Sequence, residues 1–268
     1  MKLGLNNKIA FITGASSGIG LATAEFFALE KAKVVICGRN LENLKIAKQK
    51  IKNCTGFEID FFQCDTSIYE QVEYVVKEIY KKYNKIDILI NNAGKAQAGG
   101  INETSHKDWK SMIDVKIYSL INTCKIISPI MKKNMWGRIV NISSIGGIYP
   151  NPKLTISHGL SAAINNLTKS LALELAPFNI LVNAIGVGAV RTKNWEENML
   201  PKVRLTRKDL SDLNDEEIIS KLGKELTPIG RFGKPLEIAQ ISAFLSSECN
   251  GFVTGSVIEA SGGADRFM

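Results

Sequence analysis

The residues best suited to chemistry begin at 13-TGASSGIG-20. Gly14, Gly18 and Gly20 stand between an apolar run, 8-KIAFITG-14, and a helical pattern. Small residues at such a junction let the backbone approach a pyrophosphate closely. The N-terminus of the following helix adds N–H groups and a positive dipole end. Gly14, Ser16, Ser17, Gly18, Ile19 and Gly20 are therefore candidate cradle residues for a dinucleotide. A tight turn with no ligand would use the same glycines, but the first strand-to-helix junction of an alternating chain is where a dinucleotide is held. The next signal is 38-GRN-40, at the end of the following apolar run. A chain that binds NAD places a carboxylate there for the ribose 2′-hydroxyl. Here Gly38 takes that place and Arg39 follows. With no acid to repel a 2′-phosphate and a guanidinium to attract one, NADP (NADPH) is favoured over NAD. The plain alternative is that Arg39 is a solvated surface arginine.

The elements that must position these residues alternate regularly. Short apolar runs of strand type are 8–14, 32–38, 57–65, 86–94, 137–144, 179–186 and 252–260. Helical patterns lie between them at about 18–30, 40–52, 67–83, 106–134, 155–176 and 235–247. Most runs are continuously apolar, as in strands covered on both faces. This alternation predicts an α/β fold, a Rossmann-type doubly wound, seven-stranded parallel sheet flanked by helices, with right-handed crossovers. The rhythm reaches the last residues, so 1–268 is read as one domain. Residues 191–225 interrupt it with Trp195, Met199, Pro201 and the charged cluster 212-DLNDEE-217, an insertion long enough to serve as a substrate lid.

Bulk properties narrow the classes. Lys and Arg outnumber Asp and Glu by 34 to 26, a formal net charge of +8. The basic residues fall at helical spacing on amphipathic stretches, without the interleaved aromatics of a single-strand binding platform. A lysine-rich exterior is expected, and no nucleic acid partner. No apolar run is long enough to span a bilayer, and MKLGLNNKIAFITG enters a strand directly. The five cysteines (Cys37, Cys54, Cys64, Cys124, Cys249) are scattered without a CxxC pair, which favours a reducing, cytoplasmic setting and no bound metal.

Beyond the two signals above, 91-NNAG-94, 138-RIVNISS-144, 168-TKSLALELAP-177, 229-IGRFGKP-235 and 254-TGSVIEASGG-263 complete a pattern that runs the length of the chain. It resembles the short-chain dehydrogenases/reductases of classical type. Within them it is most similar to the divergent 3-oxoacyl-[acyl-carrier-protein] reductase-like group. The resemblance implies an NAD(P)-dependent oxidoreductase acting on a small-molecule substrate. It places Asp65 at the adenine edge, Asn92, Ala93 and Gly94 along the cofactor ribose, and Thr192 at the nicotinamide carboxamide. The family's Pro-Gly after the sixth strand reads Val187-Gly188 here. The family also pairs the helices 106–134 and 155–176 across a two-fold axis. Both carry many apolar positions, among them Ile121, Ile127, Leu160 and Leu171, so a homodimer or homotetramer is expected.

The resemblance is broken where the family does its chemistry. Ser144 matches the family's serine. The tyrosine position holds Ser157, the lysine position holds Ser161, and the helix asparagine of the W…DVN pattern is replaced in 109-WKSMIDVK-116 by Lys116. Positions 157 and 161 are i and i+4, on one helix face. A serine hydroxyl is a far weaker acid than a phenol. Lys116, His158 and Tyr149 are the residues placed to restore a proton donor, His158 and Tyr149 having packing roles as plain alternatives. Three functions stay open: a carbonyl reductase or alcohol dehydrogenase with an altered proton relay, a same-fold enzyme without hydride transfer, and a catalytically inactive nucleotide-binding or assembly protein.

Overall fold

Strands form where the apolar runs stand. The computed structural model describes residues 2–264. Strand β1, Ile9–Thr13, is buried at every position. β2 (Lys33–Gly38), β3 (Asp60–Gln63), β4 (Ile88–Asn91), β5 (Gly137–Ser144), β6 (Ile180–Val187) and β7 (Val257–Ala260) complete one sheet in the order β3-β2-β1-β4-β5-β6-β7. Every pairing is parallel; Phe11 stands beside Val35 on one side and Leu89 on the other. The order reverses direction between β1 and β4. In an open parallel sheet, that switch point leaves a crevice beyond the carboxyl ends of the strands, where ligands bind.

Helices α1 (Gly18–Leu29), α2 (Leu41–Thr55) and α3 (Tyr69–Tyr83) alternate with the first strands. Next come α4 (His106–Ile113), α5 (Ser119–Asn134) and α6 (Thr155–Leu175). On one side of the sheet, Phe27 of α1 and Leu44 of α2 pack on Ile12 and Ile36. On the other side, Val76 of α3, Ile127 of α5 and Ile164 of α6 pack on Phe11 and Ile139. The helical pattern over 106–134 is not one regular helix. A π-helical turn, Asp114–Tyr118, joins α4 to α5. Such bulges commonly mark functional positions, and this one carries Lys116. Two outer strands are shorter than the apolar runs predict: β3 pairs over Asp60–Gln63 alone and β7 over Val257–Ala260, both being edge strands with one neighbour.

Residues 191–225 are mostly helical: α7 (Lys193–Asn198), α8 (Leu200–Thr206) and α9 (Asp215–Leu226), followed by α10 (Pro235–Leu245). They carry a small core of their own, in which Leu200, Leu210, Ile218 and Leu222 close on Phe232. Trp195 meets Phe232 edge-on at 4.6 Å. Arg191 ties the segment's ends together, its Nε donating to Glu196 at 2.6 Å and its Nη1 to Glu216 at 2.9 Å. Among the described residues, no helix is long and apolar enough to cross a membrane, and no cluster of His, Cys, Asp and Glu is arranged to hold a metal.

Candidate active site

The glycine-rich turn is held by Asn92 and Ala93, the two residues that follow β4. Thr13 Oγ1 accepts the N–H groups of Asn92 and Ala93, each at 3.0 Å. The Asn92 amide donates to Thr13 O at 3.1 Å and Gly14 O at 2.9 Å. Gly14 is in the left-handed region at φ 61°, and a Cβ there would lie 2.9 Å from Ala93 Cα. A Cβ at Gly20 would overlap the Asn92 amide and lie 2.7 Å from Gly14 O. Ser17 starts α1 without a side-chain capping bond, which leaves its first-turn N–H groups available to water or a ligand. The turn thus has the shape and donors of an anion cradle. Thr192 lies beside it, its Cγ2 3.5 Å from where a Gly18 Cβ would stand, and it caps α7 by accepting Trp195 N–H at 3.2 Å.

Beside the turn lie the carboxyl ends of β2 and β3. A Cβ on Gly38 would meet Ser16 Oγ and Leu44 Cδ2 at 3.6 Å, ordinary contact distance. A β-carbon is therefore tolerated at position 38, where the sequence has none. Arg39 is exposed, and its carbonyl accepts Gln63 Nε2 at 2.9 Å. Asp65 shapes its own loop: Oδ1 accepts Ser67 N–H at 3.0 Å and Ser67 Oγ–H at 2.6 Å.

Between β4, β5, α5 and α6 runs a buried polar chain. Asn91 donates to Asn141 at 2.9 Å and accepts Thr123 Oγ1–H at 2.7 Å; Asn141 donates to Thr168 at 2.9 Å. These bonds fix β4, β5, α5 and α6 relative to one another. A narrow cavity with room for about one water opens between Asn91, Thr13, Ser119 and Lys116.

Nearby lie Ser144 and the three positions that depart from the resembled pattern. Ser144 ends β5, and its Oγ accepts Gly146 N–H at 3.1 Å. Ser157 and Ser161 are buried on α6. Ser161 Oγ donates to Ser157 O at 2.8 Å. Lys116 crosses from the π-helical turn and donates from Nζ to Ser161 Oγ at 3.1 Å and to Ser157 O at 3.3 Å. Desolvation lowers its pKa to about 8. The structure therefore joins Lys116, Ser157 and Ser161 into one cluster.

The other two candidate donors are engaged elsewhere. Tyr149 reaches Glu259 on β7, with OH to Oε1 at 3.4 Å. His158 is buried and its Nδ1 accepts Asn151 N–H at 2.9 Å. Burial first, and the Lys116 charge second, push its pKa below the ordinary histidine value. Sequence reasoning did not single out Thr13, Gly146 or Asn151. Thr13 was legible only as the first residue of the glycine motif, and nothing in the sequence pairs Asn151 with His158.

The turn in which Gly14 and Gly20 leave no room for a Cβ, with a helix start lacking a side-chain cap behind it, fits a dinucleotide. A doubly wound parallel sheet with that cradle at its switch point defines a dinucleotide-binding enzyme. The family model for the short chain dehydrogenase matches residues 8–201. The chain is 36% identical over 259 residues to the 3-oxoacyl-[acyl-carrier-protein] reductase FabG of Thermotoga maritima, covering 97% of this chain and 98% of the other. Among solved structures it is similar to L-sorbose reductase from Gluconobacter frateurii, complexed with NADPH and L-sorbose, at a TM-score of 0.89 and 30% identity over 98% of both chains. It is also similar to the NADPH-bound structure of a short chain oxidoreductase from Pseudomonas aeruginosa PAO1 described as containing an atypical catalytic center, at a TM-score of 0.87 and 29% identity over 97% of this chain and 99% of that one. The chain belongs to the short-chain dehydrogenase/reductase family, in its classical, 3-oxoacyl-reductase-like branch, and is an oxidoreductase that uses a nicotinamide cofactor.

Proposed function

We propose that this chain is an NADPH-dependent carbonyl reductase in which Lys116 takes over the proton donation that a tyrosine performs in its relatives. The observation that carries this reading is the placement of the Lys116 ammonium 3.1 Å from Ser161 Oγ and 3.3 Å from Ser157 O, on the helix face where the family keeps its acid. Gly14, Ser16, Ser17, Gly18, Ile19 and Gly20 would hold the pyrophosphate. Arg39 would hold the 2′-phosphate, Asp65 the adenine edge, Asn92, Ala93 and Gly94 the ribose, and Thr192 the carboxamide. Bound there, the nicotinamide supplies a hydride to the carbonyl carbon. The NADPH complexes of similar structures support that cofactor.

The chain's own residues handle the oxygen. Ser144 accepts from Gly146, which leaves its O–H to donate to the substrate carbonyl. The Lys116 ammonium gives its proton to that oxygen as the alcohol forms. Burial already disfavours the charged form of Lys116, so the neutral amine left behind is tolerated. Ser161 accepts a hydrogen bond from Nζ and aims it. The segment 191–225, with its own core and the Arg191 clamp, acts as the substrate lid of the single domain.

The test is NADPH oxidation over a ketone panel, 3-oxoesters included, by the parent and by Lys116→Met. Removing a positioned general acid costs roughly 10²–10⁴-fold, and the variant should fall by that order with NADPH affinity retained. Equal rates in the two proteins would refute the role of Lys116. Tight NADPH binding without turnover of any carbonyl would refute the reductase reading and favour a non-catalytic nucleotide-binding protein.

A further inference from the structure

His158 adjoins the cluster yet takes no part in the mechanism above. It occupies the position directly after Ser157 and is only 7% exposed. Two contacts define its place. Its Nδ1 accepts the N–H of Asn151, in the loop that connects β5 to α6, at 2.9 Å. On the other side, its ring lies so close to Gly146 that a Cβ at position 146 would overlap the imidazole. Gly146 is the residue whose N–H donates to Ser144 Oγ at 3.1 Å. A chain of three contacts therefore runs from Asn151 through the imidazole and the Gly146 backbone to the Ser144 hydroxyl.

We propose that His158 is a positioning residue for Ser144: held by the Asn151 N–H, its ring braces the Gly146 backbone so that Gly146 N–H stays on Ser144 Oγ and the Ser144 O–H points at the substrate carbonyl. The inference rests on the role given to Ser144 in the reductase reading. The hydrogen bond also fixes the tautomer. An Nδ1 that accepts must leave its proton on Nε2, so the ring is neutral in the braced state.

Protonation would undo the brace, because Nδ1–H cannot accept from Asn151. The groups around the ring resist that protonation. Lys116, on the π-helical turn, brings a positive charge toward it. The β5–α6 loop contributes Lys153, which is exposed, and Tyr149, which is drawn to Glu259. Helix α6 itself carries no charged side chain before Lys169. Burial and the Lys116 field both act against charge on the ring, so the brace holds at neutral pH and fails as the pH falls through a lowered histidine pKa.

Three replacements separate bracing from bulk. His158→Phe keeps the ring volume and loses the acceptor. His158→Asn keeps an acceptor near Nδ1 and cannot titrate. His158→Ala loses both. For a hydroxyl moved off its aim the expected loss is on the order of 10-fold in kcat. His158→Phe and His158→Ala should show it, with NADPH affinity by calorimetry unchanged. His158→Asn should recover most of kcat and lose the acid limb of the pH profile. Parent-like kcat and acid limb in His158→Phe would overturn the proposal, as would a fall in NADPH affinity that parallels the fall in kcat, or an Asn replacement no better than Phe. A readout independent of turnover is the 15N spectrum of the two histidines, His106 and His158. An Nε2–H tautomer at His158 supports the brace; an Nδ1–H tautomer overturns it even if no carbonyl is ever found to be reduced.

Discussion

Lys116 carries a charge that no acidic side chain offsets among the described residues, and its neighbours at Nζ are a serine hydroxyl and a backbone carbonyl. Desolvation is the cause of its lowered pKa of about 8. The sign of the pH dependence follows. Reduction needs the ammonium, so carbonyl reduction should fall as pH rises through about 8, and alcohol oxidation, which needs the free amine, should rise over the same interval. Initial rates in both directions check this; a reduction rate flat to pH 10, roughly the usual lysine range, would remove Lys116 from the proton path. A complementary experiment restores the family's chemistry. Ser157→Tyr with Ser161→Lys returns a phenol and an ammonium to one helix face, and Lys116→Asn clears the cation that now donates to Ser161. The triple variant should gain about 10²-fold or more with a generic 3-oxoester. A parent that already turns that ester over at the triple variant's rate would show that serines at 157 and 161 disable nothing. The sequence showed the three departures plainly, because each is one residue in a long match. It also pointed Lys116, from the facing helix, at the space left at 161; the structure adds the π-helical turn that carries Lys116 and the bonds it makes to Ser161 Oγ and Ser157 O.

At the scale of elements, the strands were legible because central parallel strands are buried on both faces and read as unbroken apolar runs. The edges were less so: β3 and β7 each lack a second neighbour, and their pairing stops short of the apolar stretch. The first βα turn joins sequence to function most directly. Gly14 and Gly20 are required because Asn92 and Ala93, just past β4, press against the turn. Gly20→Ala would place a methyl against the Asn92 amide and two backbone atoms of the turn, Gly14 O at 2.7 Å and Ala15 Cα at 2.8 Å. Overpacking of this kind costs about 1–3 kcal/mol. Calorimetry should show NADPH affinity lowered by at least about 10-fold, in the same range as that strain, and a thermal melt should show a lower midpoint. Unchanged NADPH affinity would mean that the pyrophosphate lies elsewhere. On β2 the prediction has the opposite character, because a Cβ at position 38 meets only ordinary contacts. Gly38→Asp should fold normally and shift preference from NADPH toward NADH, measured as the ratio of the two kcat/KM values. A ratio left as it was would place the 2′-phosphate away from Gly38 and Arg39.

At the scale of the molecule, the apolar surplus expected on the helices 106–134 and 155–176 is smaller than the sequence suggests. Ile127, Leu160 and Ile164 are consumed by the chain's own interior, and Ile117, Ile126, Leu167 and Leu171 pack against it in part. Periodicity counts apolar positions without saying which face meets the sheet, so it could not make this division. What stays outside is more specific. Tyr118 and Ile121 on one helix are 51% and 37% exposed, and Leu173 on the other is 77% exposed. Phe252 is 96% exposed in the loop leading to β7, and Gly255 of that loop lies against Ala172 of α6. Large apolar side chains left in water at several places on two long helices and beside an edge strand are surface that association would cover. The expected state is a homodimer or homotetramer. If the two helices carry the contact, Ile121→Glu combined with Leu173→Glu should lower the mass measured by light scattering at micromolar concentration, while the NADPH site, which shares none of these residues, keeps its affinity. A parent that is already monomeric would end the prediction. A double variant that keeps the parent's mass would move the contact to Phe252 and the β7 edge, where Phe252→Glu then becomes the deciding change.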